Sequence, residues 1–149
     1  MDRIHVDGSG WSGISCRYCV YFLDRGAVDN LITNILYEEH TNNEMEYLAL
    51  IRSLREVNEP HHIFTDSQLI FGQVNLNWRV NLPHLIPLRN EARSLLLQKG
   101  CVLTWIPREQ NEAGKIIEKQ LFKLKNYKNK CISPIIQKRH YDPSKYRAS

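Results

Sequence analysis

The chain has 149 residues, of which 42% are hydrophobic and 24% are charged. This composition is that of an ordinary globular domain with one core, so we expect a single domain. We also expect a monomer. No apolar run approaches the roughly 20 residues needed to cross a bilayer, and the chain begins in alternating sequence without an apolar signal region. These features argue against a membrane or secreted protein, and we expect a cytoplasmic location.

The net charge of +4 is distributed unevenly along the chain. Residues 1–122 carry 12 Lys and Arg against 15 Asp and Glu, whereas residues 123–149 carry 8 against 1. We therefore expect a domain over residues 1–126 and a basic C-terminal tail over residues 127–149. Such a tail is often only a solvated chain end, but it is also the charge pattern that binds phosphates.

The four cysteines are Cys16, Cys19, Cys101 and Cys131. Cys16 and Cys19 fall in an extended segment, where positions three apart point to opposite sheet faces, so we do not expect them to share a metal. Buried, reduced thiols are the expectation, and a bridge between Cys101 and Cys131 stays open.

The first part of the chain predicts three strands. Residues 3–7 alternate with period two and run into a glycine-rich turn over residues 8–13. Residues 14–23 and 28–38 are rich in β-branched and aromatic side chains, and residues 24–26 between them favour a turn. These two segments predict an antiparallel hairpin.

A helix follows, and it begins with a capping box formed by Thr41 and Glu44. The helix is predicted from about Asn42 to residue 57, and its apolar positions recur at three- and four-residue steps. Glu46 lies at the shoulder of this apolar stripe. A lone carboxylate here is usually a half-solvated residue favoured by the helix dipole, so its role depends on what lies near it.

The second half of the chain alternates strands and helices. The predicted elements are a strand over residues 61–66, a short helix over 67–74, a long helix ending at residue 99 before Gly100, a strand over 101–107 and a last helix from about residue 111. The order β-β-β-α-β-α-α-β-α predicts an α/β domain with a five-stranded mixed sheet. Three antiparallel strands are followed by two parallel ones, with helices on both faces.

Three carboxylates are expected to meet at one edge of this sheet: Asp7 on the first strand, Glu46 in the helix and Asp66 at the end of the fourth strand. Like charges this close cannot all stay ionised without a cation, and carboxylate oxygens suit Mg²⁺ or Mn²⁺. The chemistry that such a site favours is two-metal hydrolysis of a phosphodiester. His5 shares a strand face with Asp7, and we interpret it as a core or supporting residue rather than a ligand.

Four blocks of the sequence resemble those of type 1 ribonuclease H. They are Asp-Gly-Ser-Gly at residues 7–10, Thr-Asn-Asn-Glu-Met-Glu-Tyr at 41–47, Phe-Thr-Asp-Ser-Gln-Leu at 64–69 and Trp-Ile-Pro-Arg-Glu-Gln-Asn-Glu-Ala at 105–113. Their order and spacing match the family over residues 4–124. The resemblance implies a ribonuclease H-like three-layer fold and cleavage of the RNA strand of an RNA–DNA hybrid, with two Mg²⁺ or Mn²⁺ ions per site when substrate is bound.

The resemblance also implies roles for individual residues. Asp7, Glu46 and Asp66 match the catalytic metal ligands. The implied substrate contacts are Gly8, Ser9, Asn42, Asn43, Ser67, Gln68, Trp78, Arg108 and Asn111. Asn42, Asn43 and Gln68 match positions that contact the minor groove of the hybrid, where 2′-hydroxyls mark RNA, and Ser67 and Trp78 match the path of the DNA strand.

The sequence departs from the family at Gly114, where members carry a fourth active-site Asp. Glu112 and Glu118 are the nearest acids, but we expect Glu112 to point elsewhere and Glu118 to lie too far along the helix. The loop at residues 108–110 also lacks the histidine that many members carry. Two functions therefore remain open: a hybrid-specific endoribonuclease with a weakened second metal site, or a module that binds hybrid or double-stranded nucleic acid without cleaving it.

Overall fold

A computed structural model describes residues 1–130 and contains the predicted five-stranded mixed sheet. The strands are β1 (Asp2–Ser9), β2 (Cys16–Phe22), β3 (Leu31–Leu36), β4 (His61–Thr65) and β5 (Val102–Trp105). Their order in the sheet is β3-β2-β1-β4-β5. The β1–β2 and β2–β3 pairs are antiparallel, whereas β1–β4 and β4–β5 are parallel, which confirms the predicted fold class.

Several strand boundaries differ from the prediction. The hairpin closes early because the Phe22 N–H donates to the Asn30 carbonyl at 2.8 Å and the Asp29 N–H donates to the Gly26 carbonyl at 3.1 Å. Both hairpin strands are therefore shorter than predicted at the turn, and β5 is also shorter than predicted. By contrast, β1 extends through Gly8 and Ser9, because these residues pair with β2 instead of forming a turn.

The helices are α1 (Asn42–Glu56), α2 (Gln68–Asn75), α3 (Ile86–Lys99) and α4 (Glu112–Lys130), with short 3-10 turns at Pro83–Leu85 and Arg108–Gln110. Both hydrogen bonds of the Thr41–Glu44 capping box are present, and Gly100 ends α3 with a φ of 65°. Helix α4 continues past residue 126, where we placed the start of the tail. The rest of that predicted tail, including Cys131, lies outside the described residues. Among the described helices, none has the length and apolar character needed to span a membrane.

The sheet has a different core on each face. Helices α1 and α2 cover the larger one, and α3 packs against α1. The fully buried side chains of this larger core include Phe22, Tyr47, Leu50, Leu54, Ile63 and Leu85. Helix α4 covers the smaller one, which is built from Cys19, Ala113 and Ile117. Cys16 belongs to the first core and Cys19 to the second, which confirms that the two thiols lie on opposite faces.

Candidate metal and nucleic-acid site

The three predicted carboxylates converge at the edge of the sheet where the parallel strands β1 and β4 end. Asp7 lies near the end of β1, Asp66 directly follows β4, and Glu46 comes from the second turn of α1. One oxygen from each carboxylate lies within 4.8 Å of the other two. The predicted meeting of these acids is therefore confirmed, and their spacing is short enough for a shared cation.

Gly8 explains why α1 comes close enough to place Glu46 beside Asp7. A Cβ atom at Gly8 would collide with the backbone of Met45 and Glu46. Next to this contact, the backbone N–H of Gly10 donates to the Asn42 side chain at the start of α1. The glycine-rich segment thus joins β1 to the helix that carries the second acid.

The acids lack enough compensating positive charge. Burial raises the pKa of Asp7 to about 7, and the charge of Asp66 adds to this rise. Burial, followed by the charges of Asp7 and Asp66, raises the pKa of Glu46 well above its usual range. The pKa of Asp66 is also raised, again mainly by burial. The positive charge of Arg108 lowers the pKa of each acid but does not offset the rise. A further cation in this cleft is therefore favoured electrostatically.

Asn111 holds Asp66 in place and begins α4. Its Nδ2 donates to Asp66 Oδ2 and to the Val6 carbonyl, both at 3.0 Å. Its Oδ1 accepts from the backbone N–H groups of Ala113 at 3.1 Å and Gly114 at 3.4 Å. The side chain is completely buried. The prediction that Asn111 contacts substrate is therefore wrong, because all of its polar atoms are directed into the protein.

His5 supports the same helix, as its position on β1 predicted. The ring is 8% exposed, and its Nδ1 accepts from the backbone N–H of Glu112 at 3.0 Å. Burial lowers the pKa of His5, which favours the neutral ring that can accept this bond. The interpretation of His5 as a supporting residue is confirmed.

A cleft opens onto the three acids. It is lined in addition by Gly8, Ser9, Asn42, Arg108, Gly114 and Glu118. Four predicted substrate residues, Gly8, Ser9, Asn42 and Arg108, therefore lie at the cleft. Since carboxylates and one basic group, Arg108, meet there, the cleft has the chemistry to bind divalent ions together with a phosphate.

Comparison with known proteins agrees with this geometry. The model of the reverse transcriptase-like family matches residues 5–117. The chain belongs to this family. Its resemblance to ribonuclease HI is also confirmed, because ribonuclease H1 structures match most of the chain.

Three solved structures illustrate how similar the chain is to ribonuclease H in sequence and in fold. Ribonuclease H1 of the halophilic archaeon Halobacterium salinarum NRC-1 is 27% identical, with a TM-score of 0.64 over 77% of this chain and 92% of that one. LC11 ribonuclease H1 from compost, in complex with an RNA/DNA hybrid, is 25% identical, with a TM-score of 0.60 over 75% of this chain and 89% of that one. The N-terminal ribonuclease H domain of rv2228c from Mycobacterium tuberculosis is similar in fold. It is 22% identical, with a TM-score of 0.60 over 81% of this chain and 99% of that one.

Around the ribonuclease H-like cleft, the other predicted substrate residues take different positions. Ser67 caps α2 by accepting from the Ile70 N–H at 3.1 Å, and its hydroxyl opposes the rise that burial causes in the pKa of Glu46. Gln68 is exposed in the first turn of α2. Asn43 is buried, and its Nδ2 has no hydrogen-bond partner within the described part of the chain. Their substrate contacts stay predictions.

Trp78 lies against α2 and does not line the ribonuclease H-like cleft. A Cβ atom at Gly72 would overlap the Trp78 ring, and the Trp78 N–H donates to the Gly72 carbonyl at 3.0 Å. The indole is 46% exposed. Because part of the Trp78 indole is exposed, its contact with the DNA strand stays a prediction.

Gly114 lies in the ribonuclease H-like cleft beside two of the acids. A Cβ atom there would be 3.2 Å from Asp7 Oδ2 and 3.6 Å from Asp66 Oδ2. Of the two neighbouring acids, Glu112 pairs with Lys115 at 3.1 Å, whereas Glu118 lines the cleft. Glu118 therefore reaches the cleft, but its carboxylate does not belong to the group of three acids whose oxygens lie within 4.8 Å of one another. The sequence also gave no signal that Trp105 Nε1 donates to the Asp66 carbonyl at 3.0 Å.

Proposed function

We propose that the protein is an endoribonuclease that cleaves the RNA strand of RNA–DNA hybrids with the help of two divalent ions. The observation that carries this proposal is the meeting of Asp7, Glu46 and Asp66 within 4.8 Å in a cleft of a ribonuclease H-like fold. Three partly buried carboxylates with one nearby arginine fit divalent ions better than any neutral ligand. Mg²⁺ or Mn²⁺ is the proposed cofactor.

In this proposal, each acid has a separate support. The pairing of β1 with β2 fixes the backbone at Asp7, the close approach of α1 to Gly8 fixes the backbone at Glu46, and Asn111 holds the side chain of Asp66. Bound divalent ions supply a nucleophilic water and stabilise the leaving oxygen in phosphodiester hydrolysis. The contribution of the protein is to fix the positions of the ligands before substrate arrives, which limits reorganisation during the reaction.

Recognition of the hybrid is assigned to the amide side chains at the starts of α1 and α2. Asn42 lines the cleft, and its Oδ1 is occupied by the Gly10 N–H, so its Nδ2 is left to donate. Gln68 is exposed at the first position of α2. Donors at these positions suit the 2′-hydroxyl and base-edge acceptors of a minor groove. The structure of LC11 ribonuclease H1 with an RNA/DNA hybrid supports this choice of substrate.

Gly114 favours one alternative function, in which the chain binds hybrid or double-stranded nucleic acid without cleaving it. Both functions predict binding that weakens with salt, so only turnover separates them. Cleavage of an end-labelled hybrid in Mg²⁺ and in Mn²⁺ is the test, with RNA duplex and DNA duplex as substrate controls. The matched protein control is Asp66→Asn, which keeps the size of the side chain but removes its charge.

We expect the natural chain to cut only the hybrid and Asp66→Asn to lose at least about 100-fold in rate, a typical loss for a transition-state charge contact. Gly114→Asp is expected to speed cleavage and to lower the Mg²⁺ concentration required. If the natural chain does not cut in either ion but Gly114→Asp does, the protein is a binding module and the proposed activity is wrong.

A further inference from the structure

We infer that Glu118 supplies the fourth carboxylate of the metal site, from one helical turn beyond the position where Gly114 leaves a gap. This inference rests on the proposed function, because it concerns the ions at the same cleft. It assigns a metal-binding role to a residue outside the four matching sequence blocks.

The phase of α4 places Glu118 beside the gap. Residues four apart share one face of a helix, and helical side chains lean toward the N-terminus. Glu118 therefore leans toward the turn that contains Gly114. Both residues line the cleft together with Asp7, and the charge of Glu118 acts on both Asp7 and Asp66.

The missing side chain at position 114 leaves room for this arrangement. A Cβ atom there would already lie 3.2 Å from Asp7 Oδ2, so any larger residue would occupy the space between α4 and the acids. A glutamate is one methylene longer than an aspartate and can bring its carboxylate from the next turn. Gly114 weakens the helix by roughly 1 kcal/mol relative to alanine. The space that it leaves for the Glu118 side chain explains why a glycine stands at this position.

The present partner of Glu118 does not hold it firmly. Its Oε1 lies 3.7 Å from Arg108 Nε, and the two side chains are 60% and 79% exposed. Exposed pairs of this kind contribute between about 0 and 1 kcal/mol. Glu118 can therefore leave Arg108 for a divalent ion at little cost in free energy. The Arg108 side chain is then available to bind a substrate phosphate.

Glu112 does not fit this role and provides a matched control. It is directed to Lys115 at 3.1 Å, and it is not among the residues that line the cleft. Glu112 and Glu118 carry the same charge on the same helix. Replacement of either one by glutamine changes the net charge equally, so a difference between the two variants reports position and not overall charge.

The test is Mn²⁺ binding to the full chain, measured from the electron paramagnetic resonance signal of free Mn²⁺ and, independently, from the rise in Tm on adding Mn²⁺. The variants are Glu118→Gln, Glu112→Gln and the double variant Gly114→Asp with Glu118→Gln. We expect Glu118→Gln to weaken Mn²⁺ binding at least about tenfold, since even the loss of a residue that only supports a metal ligand costs about that much. Glu112→Gln should bind like the natural chain, and Gly114→Asp should restore binding in the double variant.

Two results would overturn the inference: Mn²⁺ binding by Glu118→Gln equal to that of the natural chain, or equal losses in both glutamine variants. The proposed activity is tested separately by cleavage of the hybrid. A chain that cleaves while Glu118→Gln binds Mn²⁺ normally needs only three acids. If the chain does not cleave but binds Mn²⁺ through Glu118, the inferred metal site is correct and the proposed activity is wrong.

Discussion

The two faces of the sheet differ in what they bury. The α1 face buries a continuous set of large apolar side chains, including Tyr47 and Leu54, each without solvent exposure. The α4 face has a small apolar cluster, and its neighbours include the buried polar residues His5, Arg17 and Asn111. The acids lie at the end of the sheet between the two faces. The difference indicates that stability comes mainly from one face, which allows the other to hold charges that destabilise the fold.

The substitution with the largest expected effect on the stabilising α1 face is at Gly8, where α1 meets β1. Gly8→Ala places a Cβ atom against the backbone of Met45 and Glu46, which cannot move without displacing α1. We expect a loss above about 4 kcal/mol, which is exceptional for one substitution, measured by urea unfolding. Gly26→Ala is the control, because a Cβ atom there meets no atom within 4 Å. Equal stability of the two variants would show that α1 is not fixed by this contact.

A direct comparison of the two faces uses one leucine from each. Leu54→Ala in α1 removes a side chain with no exposure, and we expect a loss of about 3 kcal/mol from lost burial and the cavity left behind. Leu121→Ala in α4 removes a partly buried side chain, for which we expect about 1 kcal/mol. Thermal and urea unfolding of both variants provide the measurement. A larger loss for Leu121→Ala would reverse the proposed division of stability.

The sequence predicted the α1 face well because local signals and burial agree there. The Thr41–Glu44 capping box fixed the start of α1, and its apolar period identified the residues that pack on the sheet. The meeting of Asp7 with Asp66 followed from the parallel order of their strands. Each of these inferences depends on periodicity or topology, which a sequence carries directly.

The α4 face was harder to predict because polar residues there have several possible partners. Nothing in the residue type distinguishes a buried Asn111 that caps a helix from an exposed one that contacts substrate. The position of Glu118 depends on where α4 begins, and a shift of one residue rotates a helical side chain by about 100°. The cap at Asn111 sets that phase, and only the structure reveals it.

The acids themselves should destabilise the protein when no metal is bound. The pKa of Asp7 is raised to about 7 in the folded protein, above its unfolded value of about 4. The folded state therefore binds this proton more tightly, so stability falls as pH rises from about 4 to 7 and stays low above that range. Asp7→Asn removes the charge, and we expect its Tm in EDTA at pH 8 to exceed that of the natural chain by about 5 °C.

The Tm advantage of Asp7→Asn should disappear below about pH 4, where Asp7 is protonated in both the folded and unfolded states. Mn²⁺ should stabilise the natural chain and have little effect on the variant. Thermal scans across pH, with and without Mn²⁺, measure both effects. A variant that is less stable at pH 8 in EDTA would contradict the view that these acids are uncompensated.

The smallest expected effect concerns Arg17, which is 5% exposed on the α4 face. Its guanidinium donates to Ser15 Oγ at 2.9 Å and to Gln120 Oε1 at 3.4 Å, while its Nε has no partner among the described residues. Both partners are neutral, and removal of an uncompensated buried charge is often neutral or stabilising. We expect Arg17→Met to raise stability by about 1 kcal/mol in urea unfolding, because methionine keeps most of the apolar contact.

Arg25→Met is the matched control for Arg17→Met, because Arg25 is exposed and stacks over the Phe22 ring at 3.7 Å. Loss of such an exposed contact should lower stability by about 0.5–1 kcal/mol. The two substitutions are therefore expected to act in opposite directions although both remove one arginine. A clear loss of stability in Arg17→Met would mean that the hydrogen bonds of the guanidinium outweigh the cost of burying its charge, and the α4 face would then contribute more to stability than its small apolar cluster indicates.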